Sequence, residues 1–184
     1  MKRSLIMFGI MSLLVVSLAY AGVLNYYGKI VGNVNVQGPI FYADLTANGE
    51  TIGNLLLNTK PTSTYTSTFK DSQSIIFWSE RLNGVSFNYI PKCEFSVKIS
   101  SNQGANLQLI CKYYDTTNKE HTICYTTIST TTNSEVKTAS CIGGSPLSNV
   151  DYFVYKVEGV AKPDVSFTLE TNQNGDTRLQ VSKA

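Results

Sequence analysis

From Leu24 to Val36, apolar and polar positions alternate with a period of two. One face reads Leu24, Tyr26, Gly28, Ile30, Gly32, Val34 and Val36, with no charge or amide. The other reads Val23, Asn25, Tyr27, Lys29, Val31, Asn33 and Asn35 and is mostly polar. Alternation of this kind marks a half-buried β-strand. At ~3.3 Å per residue the run would extend roughly 40 Å, about twice a usual strand. Gly38-Pro39 then breaks it with a turn signal, a hinge between this strand and the body of the chain.

Beyond the hinge come shorter runs rich in Ile, Val, Thr, Tyr and Phe, at 40–45, 51–57, 62–69, 74–79, 85–89 and 94–99, then at 106–114, 122–129, 135–141, 152–160, 165–170 and 177–181. These side chains suit a pleated, half-buried surface. Turn chemistry separates them, notably Asn48-Gly49, Asn83-Gly84, Gly143-Gly144-Ser145-Pro146, Lys162-Pro163-Asp164 and Asn174-Gly175-Asp176. The pattern predicts an all-β chain, a jelly-roll-like antiparallel β-sandwich with an extended N-terminal strand.

The first residues follow a different rule. Lys2 and Arg3 precede an apolar stretch over 5–18, and Ala19-Tyr20-Ala21 offers a small-x-small cleavage site. Residues 1–21 therefore read as a secretory signal, which predicts an exported protein beginning at Gly22. The apolar stretch is shorter than the ~20 residues of a spanning helix, so no membrane span is expected after cleavage. The expected organisation is a signal peptide (1–21), an N-terminal donor strand (22–37) and one β-sandwich domain (38–184).

Composition narrows the partners. Only 15% of residues are charged, and the formal charge of +2 includes Lys2 and Arg3. A nearly neutral mature surface has no long-range attraction for nucleic acid or acidic lipid. It also offers little repulsion against copies of itself. The four cysteines, Cys93, Cys111, Cys124 and Cys141, suggest two disulfides in an exported chain, with three connectivities open. Cys93 shares a face with Phe95, Val97 and Ile99, and Cys111 shares one with Leu107, Leu109 and Tyr113. That favours Cys93–Cys111 with Cys124–Cys141.

The segment Gly22 to Asp44, Gly-Val-Leu-Asn-Tyr-Tyr-Gly-Lys-Ile-Val-Gly-Asn-Val-Asn-Val-Gln-Gly-Pro-Ile-Phe-Tyr-Ala-Asp, resembles the mature start of the TasA/camelysin-like secreted fibre proteins. Within them it is most similar to the archaeal bundling pilins. The resemblance implies jelly-roll subunits joined head to tail, each donating its N-terminal strand to the next, in fibres of a biofilm matrix. It implies identical subunits as partners, with lateral bundling of the filaments. The donated side chains would be Leu24, Tyr26, Ile30, Val34 and Val36, with Gly28 and Gly32 permitting close approach and Gly38-Pro39 as the hinge. Camelysin-like relatives have been labelled peptidases, but no His-Glu-x-x-His run occurs here.

Candidate chemistry is sparse. His121 is the only histidine and sits in a segment that reads as an exposed turn. The carboxylates are scattered singly, no Cys-x-x-Cys pair or glycine-rich phosphate loop occurs, and Asn174-Gly175-Asp176 reads better as a hairpin than as a calcium loop. No catalytic residue, metal or cofactor is expected. The tyrosines leave a second class of function open. Tyr26-Tyr27, Tyr113-Tyr114 and Tyr152, Phe153 and Tyr155 suit core or interface positions, or a sugar-stacking platform in a monomeric secreted carbohydrate-binding module.

Overall fold

The computed structural model describes residues 38–48, 54–160 and 164–184; the expected signal peptide and donor strand lie outside the described residues. The described residues form β1 (Ile40–Asn48), β2 (Asn54–Leu57), β3 (Tyr65–Lys70), β4 (Ser74–Ser79), β5 (Val85–Phe87) and β6 (Pro91–Ser101), followed by β7 (Ala105–Asp115), β8 (Glu120–Thr130), β9 (Glu135–Ile142), β10 (Leu147–Gly159), β11 (Ser166–Thr171) and β12 (Arg178–Lys183). Every apolar run expected after residue 39 overlaps one of them. The fold is the all-β antiparallel sandwich that the alternation implies.

The hydrogen-bonded order is β3-β11-β6-β12-β1-β2-β4-β10-β7-β8, with β9 added to β6 and β5 to β10. One pair, β2 with β4, is parallel; the rest are antiparallel. A single sheet of this width curls rather than staying flat. It turns over at β1–β2, where the register shifts between Asp44 and Asn48. Rings from the two halves then meet inside: Phe41 on β1 lies 5.7 Å from Phe153 on β10, and Phe95 on β6 lies 5.4 Å from Tyr155 on β10. One layer holds β9, β6, β11, β12, β3 and β1; the other holds β8, β7, β10, β4, β5 and β2.

Burial follows the alternation. Val97 and Ile99 of β6, Leu107 and Leu109 of β7, Phe167 and Leu169 of β11 and Leu179 and Val181 of β12 are all fully buried. Most of their neighbours on the same strands face out. Asn83 and Gly84 both sit at positive φ, 56° and 80°, where the chain steps from β4 to β5 along the same side of β10.

Among the described residues two buried side-chain atoms lack a hydrogen-bond partner, Trp78 Nε1 and, in the core, the Tyr155 hydroxyl. Burial pushes the Tyr155 phenol far above the ordinary range. A buried hydroxyl without a partner costs about 1–3 kcal/mol. Tyr155→Phe should therefore raise stability by about 1 kcal/mol in urea denaturation. A clear loss would mean that the hydroxyl is satisfied in solution.

Candidate assembly surfaces

The donor-strand positions Leu24, Tyr26, Gly28, Ile30, Gly32, Val34 and Val36 lie outside the described residues. Gly38-Pro39, expected as a hinge, is described and is docked against β12. The Val181 N–H donates to the Pro39 carbonyl at 3.2 Å, so Gly38-Pro39 leads directly into the β1–β12 ladder. A Cβ at Gly38 would collide with the Val181 carbonyl oxygen, so only glycine allows this approach.

Four strands pair on one side only among the described residues: β3, β5, β8 and β9. They differ in how far they invite a further strand. β5 has 3 residues and β3 has 6, with Phe69 the single buried side chain of β3. β9 points Glu135 and Lys137 inward, opposite Ile99 and Val97. Those two charges pair with each other at 2.7 Å, and the Thr131 hydroxyl donates to Glu135 at 2.7 Å. Inward charges on an edge are a known guard against edge-to-edge pairing. β8 has no such guard. It runs for 11 residues, and from Thr122 to Thr130 it carries no charge, proline or glycine. Its inward side chains Thr126 and Ile128 sit opposite Leu109 and Leu107, while Tyr125 points outward opposite Ile110.

The outer face of the β8-β7-β10-β4 layer mixes an aromatic cluster with two ion pairs, Lys112–Glu120 and Lys156–Glu158. Trp78 packs against Tyr114 at 4.9 Å and edge-on to Tyr152 at 6.3 Å. Val154 pairs with Trp78 across the ladder, and Ile110 lies one row along, beside Lys156. Val154 and Ile110 are only 3% and 7% exposed, yet neither belongs to the central core. Tyr125, opposite Ile110 on the β8 edge, is 62% exposed. Among the tyrosines singled out in the sequence, Tyr113 and Tyr155 face the core, and Tyr114 and Tyr152 face out. The Tyr114 hydroxyl donates to Glu120 at 2.6 Å, and that bond pushes its phenol up to about 12.

The cysteines correct the expectation of two disulfides. Cys124 and Cys141 are bonded, with their Cα atoms 5.8 Å apart, but Cys93 and Cys111 are free thiols. The registers explain the arrangement. Cys93 is opposite Cys141 across β6–β9, and Cys111 is opposite Cys124 across β7–β8. Four sulfurs thus share one level of the sandwich. The bond joins β8 to β9, two of the edge strands, whereas the inner pair is fully sealed from solvent. Burial, and then the hydrogen bond between these two thiols, pushes the Cys111 thiol well above its ordinary value. A protonated, buried thiol is a poor nucleophile for disulfide exchange.

His121 does not sit in an exposed turn. It is the second residue of β8, stacks on Tyr113 at 4.6 Å and meets the Asp115 carboxylate at 2.8 Å through Nε2. Asp115 also accepts the Thr117 hydroxyl and the backbone N–H groups of Thr117 and Lys119, tying down the β7–β8 turn. The Thr117 hydroxyl foremost, then His121, hold its carboxyl well below the usual carboxylate range. A carboxylate depressed by folding adds stability that is present above its unfolded pKa of about 4 and is lost as pH falls toward the folded value. The urea midpoint should therefore drop as pH is lowered below about 4. Asp115→Asn should remove part of that drop, and an unchanged pH profile would show that the turn carries no linkage.

A shallow cavity of about 370 Å³ lies on the outer face of β6, β9 and β12, lined by Glu94, Ser96, Thr138, Ser140, Arg178 and Gln180. It is polar and does not resemble an open apolar groove. Among the described residues, no three His, Cys, Asp or Glu side chains gather as a metal site.

No family model matches the sequence, and no curated protein matches it. The fold is similar to solved structures at very low identity. A CocE/NonD family hydrolase from Staphylococcus aureus matches with a TM-score of 0.59 and 8% identity, over 80% of this chain and 36% of that one. An α-amino acid ester hydrolase matches at 0.52 and 7%, over 79% and 36%. An aminopeptidase from a marine sediment Thaumarchaeota archaeon matches at 0.52 and 7%, over 77% and 36%. This chain spans little more than a third of each of these proteins. The likeness is one of fold.

Proposed function

We propose that this protein is the structural subunit of an extracellular filament, polymerised head to tail by donation of residues 22–37 to the sandwich of the next subunit. The observation that carries the reading is the division of the chain. Gln37–Ala184 is a compact unit in its own right, and a further one-faced strand of sandwich type precedes it in the sequence. The N-terminal resemblance to secreted fibre proteins supports it, as does a surface with little charge. The body leaves unpaired sheet edges, so the donated strand extends an existing ladder by β-augmentation. Burying Leu24, Tyr26, Ile30, Val34 and Val36 at ~1.5–3 kcal/mol each is worth on the order of 10 kcal/mol gross, before association entropy. Such contacts are head to tail and do not close, so the product is an open filament.

The test is negative-stain electron microscopy of the mature chain beside a version lacking residues 22–36. Filaments from the first and none from the second support the proposal. Filaments from both would remove the donor strand from it.

A second reading has one observation of its own in the Trp78, Tyr114 and Tyr152 cluster. A secreted carbohydrate-binding module would use such rings to stack on sugars. It requires a stable monomer whose retention on polysaccharide falls with Trp78→Ala.

A further inference from the structure

We infer that the acceptor site is the free edge of β8, and that its occupant is the Leu24–Val36 strand of a second copy of this chain. The inference rests on the filament reading and adds to it the surface that does the accepting.

Three properties of β8 point there. The first is length. An 11-residue edge at ~3.3 Å per residue offers roughly 36 Å of ladder, close to the roughly 40 Å of the Leu24–Val36 run. β3 and β5 are too short to hold such a strand, with 6 and 3 residues. The second is the absence of a guard. β9 is comparable in length, at 8 residues, but turns Glu135 and Lys137 inward, where an added strand would have to place Ile30 or Val34. Beside β8 the inward neighbours are Thr126 and Ile128, and Ile128 packs against the central core. Apolar side chains from a new strand would continue that surface.

The third is that both faces of the pair match. A strand has two faces, and Leu24–Val36 is apolar on one and mixed on the other. With the apolar face toward Thr126 and Ile128, the other face sets Tyr27 and Val31 on the side of Tyr125, among Asn and Lys. Tyr125 is the most exposed large apolar side chain among the described residues and lies opposite Ile110 on the outer face. A strand along β8 would cover it. The Cys124–Cys141 bond pins β8 to β9 in the opposite layer, so the edge is held in place for a partner. That bond also bars a strand from passing between β8 and β9 at that level, so the new strand extends the β7–β8 layer sideways.

The experiment uses the full mature chain. Thr126→Lys with Ile128→Lys places charges inward on β8, and Thr66→Lys with Thr68→Lys places them on β3 as a control. Loss of filaments in the β8 variant only, with near-ultraviolet circular dichroism unchanged, is the expected result. Filaments from the β8 variant would overturn the β8 assignment; if residues 22–36 were still needed for assembly, the filament reading would stand. Mature wild-type protein that forms no filaments would overturn both. Should the double-lysine chain fail to fold, a photo-reactive benzoylphenylalanine at Tyr125 gives a second answer. It is placed in filaments grown from an equal mixture of nitrogen-15-labelled and unlabelled chains. Cross-links to the 24–36 peptide carrying both isotopes support the proposal; cross-links only within one isotope, or to another segment, contradict it.

Discussion

Ile30→Asp or Val34→Asp, introduced singly, should leave a folded subunit that makes no filaments. Both positions lie on the apolar face of the expected donor strand and neither belongs to the compact unit Gln37–Ala184, so that unit keeps its own core. In the filament the new carboxylate would be buried without a partner. That adds a desolvation cost of several kcal/mol to the ~1.5–3 kcal/mol of lost apolar burial. A penalty of about 4 kcal/mol weakens each junction roughly 1000-fold, and it recurs at every junction. Sedimentation should find the variants in the supernatant and the wild type in the pellet, with the same circular dichroism for both. Asn33→Asp, on the opposite face, should still pellet. Pelleting of the Ile30 and Val34 variants would remove the donor face from the proposal.

Cys124→Ser should lower the stability of the subunit by about 3 kcal/mol, the chain-entropy value for a bond closing a loop of this size, here with a sequence separation of 17. The bond joins β8 to β9, which share no ladder among the described residues, so its loss frees the edges of both layers together. Urea denaturation of the variant and of the reduced wild type should give the same lowered midpoint. A midpoint equal to that of the oxidised protein would mean that packing alone holds the seam.

The strands were legible because alternation is a local signal. Burial in β9 alternates residue by residue along its whole length, and β4 and β11 alternate between buried and half-buried positions. The outer apolar patch had a signal that period two hides. Ile75-Ile76-Phe77-Trp78 and Tyr152-Phe153-Val154-Tyr155 are unbroken apolar runs, and an unbroken run means that both faces of the strand are covered. Faces of strands also showed that Cys93 and Cys111 point inward, and the structure places them side by side. Whether they are bonded depends on access and ionisation, which emerge only once the layers close over them. His121 was misplaced for a related reason. The strand β8 begins earlier than its apolar run, because Asp115 caps the turn and draws the histidine into the first pairs of the ladder, opposite Tyr113. The choice of β8 over β9 is likewise tertiary. It depends on which of two polar strands turns its charges inward.

A helical reconstruction of filaments by electron cryomicroscopy, at a resolution that traces the backbone, would decide whether residues 24–36 of one chain complete the sheet of another. The expected map has density for Leu24–Val36 in the sheet of the neighbouring subunit, connected back through Gly38-Pro39 to the body it came from. Density that returns the strand to the sheet of its own subunit, or mature protein that stays monodisperse with no filament to reconstruct, would contradict strand donation.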